Sequence, residues 1–128
     1  MKTNLILIGV GGAIGSVVRY LGSLYVTKQF PSMLFPYGTF AVNVVGCIII
    51  GTAYALSEKF QWFSPSLRLF LVTGFCGGFT TFSTFAYENM QLLQRGNYTG
   101  FALYTTLSFV VCLAAVFAGF YAVQVGVN

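Results

Sequence analysis

The residues best suited to handle an ion lie together at positions 74–85, which read GFCGGFTTFSTF. The run combines backbone carbonyls, hydroxyls and aromatic rings between two stretches of apolar sequence. Gly77-Gly78 and the Thr/Ser residues weaken helical pairing, so carbonyls here are free to turn toward something other than the i+4 amide. Those around Gly77 and Thr80 are hard oxygen ligands, suited to a hard cation such as Na⁺. Phe79, Phe82 and Phe85 recur every third residue and share one side of a wound backbone, with Thr80, Thr81, Ser83 and Thr84 around them. A phenyl ring is negative on its face and positive at its edge. A column of rings seen edge-on therefore attracts an anion weakly, and neighbouring hydroxyls supply donors. The competing reading is a kinked helix whose phenylalanines face lipid.

These groups need a scaffold that keeps broken backbone out of lipid, since an unpaired carbonyl is costly in hydrocarbon unless it is buried in protein or lines a cavity. Composition supplies the setting: 57% hydrophobic and 6% charged residues over 128 positions, with a mean hydropathy of +0.83, leave too little polar surface to coat a soluble globule. The chain is an all-α integral membrane protein by this reading. Four apolar stretches are long enough to cross as helices, at about residues 5–26, 37–56, 67–93 and 101–125, the third broken near Gly77. Together they form a single four-helix domain over residues 1–128, with only short turns between the spans. Lys2 and its apolar follow-on are read as a retained first helix rather than a leader, because no small-residue cleavage site follows.

Charge restricts partners and orientation. Six basic residues stand against Glu58 and Glu88, and they are scattered, so no stripe exists to neutralise nucleic acid. With no histidine, the usual general base and commonest transition-metal ligand are missing. Cys47, Cys76 and Cys112 lie in apolar stretches and read as small buried residues. Four crossings put Lys2, Lys59 and Arg68 on one side and Lys28 and Arg95 on the other. That imbalance is too small to choose an orientation, which permits insertion both ways up and an antiparallel homodimer. Gly11, Gly12, Gly15, Gly46, Gly51, Gly119 and Gly126 are read as helix-packing positions.

Polar residues within spans are costly and so informative. Asn43 is either an interhelical clamp or an amide offered to a solute. Tyr104, Ser108 and Cys112 follow at i, i+4 and i+8, giving one helix face a phenol, a hydroxyl and a thiol. Arg19 either snorkels to the interface or holds positive potential at a cavity mouth.

The run GFCGGFTTFSTF, with Gly-Gly and Gly-Ser before Arg19, and Gly38-Thr39 with Val42-Asn43, resembles the Fluc (CrcB) family of fluoride channels over essentially the whole chain. That resemblance implies a dual-topology antiparallel homodimer with two pores, in the inner (plasma) membrane of a bacterium, exporting F⁻ passively. HF enters neutral, ionises and is trapped; an inside-negative potential then expels the anion at about 2.3 kcal/mol per charge per 100 mV. It implies that Phe82 and Phe85 offer ring edges, that Asn43, Tyr104 and Ser108 line the pore with Thr39, Thr81 and Ser83, and that Cys112 stands where the family commonly has serine. Arg19 then falls near an aqueous vestibule, and the Gly77 and Thr80 carbonyls, taken from both subunits, bind a structural Na⁺. A small multidrug or guanidinium exporter is the rival, but it needs a membrane carboxylate in its first helix, where this chain has none; Glu88 lies late in the third span. An accessory subunit without transport activity would account for the glycines but not for the TTFSTF run.

Overall fold

The computed structural model describes residues 1–32 and 34–126. Its described residues form helices and turns without strands: α1 (Lys2–Gln29), α2 (Tyr37–Lys59), α3 (residues 65–79), α4 (Phe82–Gln94) and α5 (Tyr98–Gly126). Counting α3 and α4 as one crossing, four spans are long and apolar enough for a membrane: Lys2–Gln29, Tyr37–Lys59, Pro65–Gln94 and Tyr98–Gly126. The expected spans are each recovered, lengthened at one or both ends.

Local chemistry explains where the third crossing starts and stops. Ser64 accepts from the Leu67 N–H at 3.1 Å and Pro65 follows at the first helical position, a pairing that satisfies one orphan donor and presets φ. The crossing ends at Gly96, whose φ of +72° only glycine adopts cheaply. There the Gly96 and Asn97 amides return to the Leu93 and Leu92 carbonyls, a double closure that satisfies the last helical acceptors.

α3 is not a uniform helix. It is α-helical at Pro65–Arg68, π-helical over Leu69–Cys76, and α-helical again at Gly77–Phe79. The interruption expected near Gly77 lies three residues later: Gly77 keeps helical angles (φ −60°, ψ −35°), whereas Thr80 (φ −90°, ψ 157°) and Thr81 (φ −151°, ψ 119°) are extended. Gly78 serves close packing instead. A Cβ on Gly78 would run into the Gly12 carbonyl of α1.

The bundle is drawn together in two pairs, α2 with α5 and α1 with α3. Gly51 and Gly119 let α2 and α5 touch backbone to backbone, since a Cβ on either would meet the Val116 or Ile48 carbonyl. Gly11 and Gly15 do the same for α1 against α3 at Phe70 and Phe75. Such contact is how helices associate where lipid removes the hydrophobic drive. Gly46 has another task, making room for the Thr80 methyl, and Gly126 meets nothing within 4 Å, so its expected packing role is not seen.

Candidate functional site

The polar contacts of Asn43 converge on the extended residues between α3 and α4. Thr81 has lost its helical partners, and the Asn43 side chain replaces both: Oδ1 accepts from the Thr81 N–H at 2.8 Å and Nδ2 donates to the Thr81 carbonyl at 3.2 Å. An amide side chain thus pairs with a peptide as a neighbouring strand would. Of the two readings of Asn43, the clamp is realised, and one Nδ2 hydrogen is left over because an amide carries two donors.

The broken crossing exposes two helix ends of opposite polarity. At the end of α3, carbonyls accumulate negative potential, and the Arg19 guanidinium answers it, Nε donating to the Gly78 carbonyl at 2.9 Å. The Cys76 carbonyl takes both the Thr80 amide (2.9 Å) and the Thr80 hydroxyl (2.8 Å). Among the described residues, the Gly77 and Thr80 carbonyls receive no donor from a turn or side chain. At the start of α4, Thr81 Oγ1 caps the Thr84 amide at 3.2 Å. The first N–H groups, those of Phe82 and Ser83, have no intrahelical acceptor by construction and mark the anion-favouring end. Discontinuous membrane helices place ions at such ends.

A groove of about 520 Å³ opens beside this point, walled by Asn43, Thr80, Thr81, Phe82, Phe85 and Ser108, with Cys47, Thr105 and Cys112 farther along. Phe82 is 78% exposed and its ring lies 5.6 Å from that of Phe85, tilted by 43°. Phe85 in turn meets Tyr104 at 4.9 Å, and Tyr104 meets Phe35 edge-on at 5.2 Å. The rings form a continuous line from the exposed groove into the bundle. Ser108 and Thr105 each have a buried hydroxyl with no hydrogen-bond partner among the described residues. A hydroxyl in a membrane helix ordinarily bonds the carbonyl one turn back, and leaving it unpaired costs about 1–3 kcal/mol. Both residues line the groove.

Tyr104 is fully buried and donates its hydroxyl to Glu88 Oε1 at 2.9 Å. Glu88 also walls a second cavity of about 160 Å³ with Thr27, Ser32, Gly38 and Arg95. A third, of about 200 Å³, holds Arg19, Ser23, Thr27, Thr39, Thr81 and Thr84. It shares Thr81 with the large groove and Thr27 with the second cavity, so the three hollows adjoin in series, the groove and the third meeting at the break. Of the residues singled out from sequence, Asn43, Thr81, Phe82, Phe85 and Ser108 line the groove, and Thr39 and Arg19 line the adjoining hollow. Ser83 stands apart: its hydroxyl lies 3.4 Å from Thr81 Oγ1 and walls none of the three. Thr105 and Glu88 were missed as site residues. Thr105 carried a signal, three residues before Ser108 and so on a neighbouring face; the Glu88 partnership needed the fold.

Comparison with known proteins adds an independent line. Residues 6–120 match the family described as CrcB-like protein, Camphor Resistance (CrcB). A protein of Bacteroides fragilis, named Fluoride-specific ion channel FluC, is 49% identical over 120 residues, covering 92% of this chain and 94% of its own. Proteins of the same name from Azobacteroides pseudotrichonymphae and Campylobacter fetus are each 44% identical, covering 94% and 96% of this chain and 95% of their own length.

Proposed function

From the premise that this chain belongs to the CrcB-like family, we propose that it is a fluoride-specific ion channel that lets F⁻ leave the cytoplasm passively across a bacterial plasma membrane. The family is one of channels and not of enzymes, and the four apolar spans make the chain a multi-pass membrane protein. The observation that carries the reading furthest is the pair of unpartnered hydroxyls, Ser108 and Thr105, in a groove with the Phe82 and Phe85 rings.

Fluoride is small and strongly hydrated, so a narrow path must replace its water with many weak donors, favourable enough to enter and weak enough to leave. The spare Nδ2 hydrogen of Asn43, the Ser108 and Thr105 hydroxyls, the N–H end of α4 and the ring edges of Phe82 and Phe85 are such a set. Arg19 raises positive potential in the hollow that joins the groove at Thr81. Tyr104 and Glu88 form the polar end of the aromatic line, and Thr39 lines the hollow with Arg19. Motion of the anion needs no proton relay or nucleotide; the membrane potential is sufficient.

A single subunit leaves Phe82 open on one side, which supports a second copy as the missing wall. The weak charge bias permits that copy to lie antiparallel, giving two pores. The Gly77 and Thr80 carbonyls, lacking donors, suit a hard cation, and two subunits would present four such oxygens to one structural Na⁺. Replacing Na⁺ by N-methylglucamine throughout purification is expected to lower the Tm of the dimer; identical melting in both salts removes the cation from the account.

The direct test is reconstitution. Liposomes loaded with potassium fluoride are expected to release F⁻ to an electrode once valinomycin admits counter-current, while chloride-loaded vesicles stay silent. Folded protein giving no fluoride release overturns the channel.

A further inference from the structure

Two thiols in the same groove are not used by anything above. Cys47 lies one helical turn beyond Asn43 on α2, and Cys112 one turn beyond Ser108 on α5, so both project toward the layer next to the fluoride donors. Both line the groove, neither is in a disulfide and both are only partly buried. Gly51 and Val116, each four residues farther along the same two helices, are in close backbone approach, so the two thiols stand at one level of the α2–α5 contact and open into one groove. The third thiol, Cys76, is fully buried, with Sγ 3.9 Å from the Gly46 carbonyl. Two opposed thiols from different helices, in apolar surroundings, form a site of definite chemistry.

We propose that Cys47 and Cys112 together bind a soft monovalent cation of the Cu(I)/Ag(I) class. Soft thiolates select such ions, and a linear two-sulfur arrangement needs no other ligand. The sequence has no histidine, and no group of three or more metal-ligating side chains occurs among the described residues. A zinc site with its four ligands is therefore not available here. Binding involves no oxidation: two thiols and one Ag⁺ give a bis-thiolate silver complex of charge −1 and two released protons. That complex places a fixed negative charge one turn from Asn43 and Ser108, and the site becomes an inhibitory one. The blocking effect rests on the groove being the fluoride path; the binding itself does not.

Silver nitrate in chloride-free buffer is the probe, added to the purified protein and, separately, to reconstituted channels. Bound silver is counted by elemental analysis after desalting, and the ultraviolet thiolate-to-silver band is followed in parallel. Wild type and Cys76→Ala are expected to bind silver equally, whereas Cys47→Ala and Cys112→Ala bind about tenfold more weakly or worse. Size-exclusion profiles confirm that each variant is folded. In liposomes, silver is expected to stop efflux in wild type and excess glutathione to restore it. Unchanged silver affinity in both Cys47→Ala and Cys112→Ala, or its loss in Cys76→Ala alone, overturns the site. Silver held by the pair with undiminished efflux leaves the site standing and overturns the block.

Discussion

Liposomes carrying Asn43→Ala are expected to release fluoride no faster than empty ones, and the purified variant to melt well below its parent. The reason lies in Thr81, whose amide and carbonyl both depend on the Asn43 side chain at 2.8 and 3.2 Å. Alanine leaves two peptide groups unpaired in a setting poor in water. At about 1–3 kcal/mol for each group, the loss is a large share of the roughly 5–15 kcal/mol by which proteins are stable. Asn43→Asp separates the two roles. A carboxylate still accepts from the Thr81 amide but donates nothing and repels an anion, so its Tm is expected above that of Asn43→Ala while efflux stays absent. Parental melting of Asn43→Ala would remove the clamp, and parental efflux from Asn43→Asp would remove the amide from the ion path.

The second large effect concerns the rings. Phe82→Ile with Phe85→Ile keeps apolar bulk and discards the positive ring edges, and efflux is expected to fall by about tenfold to a hundredfold, at on the order of 1 kcal/mol for each aromatic contact. Stability separates the two positions. Phe82 is 78% exposed in the subunit, so Phe82→Ile alone leaves the subunit fold nearly untouched. Phe85 packs on Tyr104 at 4.9 Å, and its substitution lowers the Tm. Fluoride-electrode traces and melting curves on the two single variants and the double read both effects. Undiminished flux through the double variant assigns the anion to other groups.

Much of this architecture was legible before any coordinates. Span count followed from apolar run length, and the ion-handling segment from glycine and hydroxyl residues set in hydrocarbon. The position of the break was not, because propensity points to Gly77-Gly78 while tertiary contact decides. Gly78 is packed helical against α1, and the chain opens only where Asn43 offers Thr81 a substitute partner. The π-helical stretch at Leu69–Cys76 was likewise invisible, since LFLVTGFC reads as ordinary apolar helix. Ser83 and Thr81 looked equivalent in a run of hydroxyls. In the fold one stands outside the hollows, and the other caps α4 and joins two of them. Glu88, the intramembrane carboxylate that kept an exporter in view although it lies late in the third span, accepts the Tyr104 hydroxyl, and family membership leaves that rival without support.

The π-helical stretch bears on how such a chain can change over evolutionary time. An i→i+5 winding takes up more residues per turn than an α-helix, and in an α-helix one residue corresponds to about 100° of rotation. Leu69–Cys76 therefore acts as an angular offset, setting the direction in which Thr80 and Thr81 leave α3. Insertions or deletions upstream of the break would swing the whole downstream constellation around the helix axis, away from Asn43. Substitution is tolerable in this stretch, but its length is not free to drift.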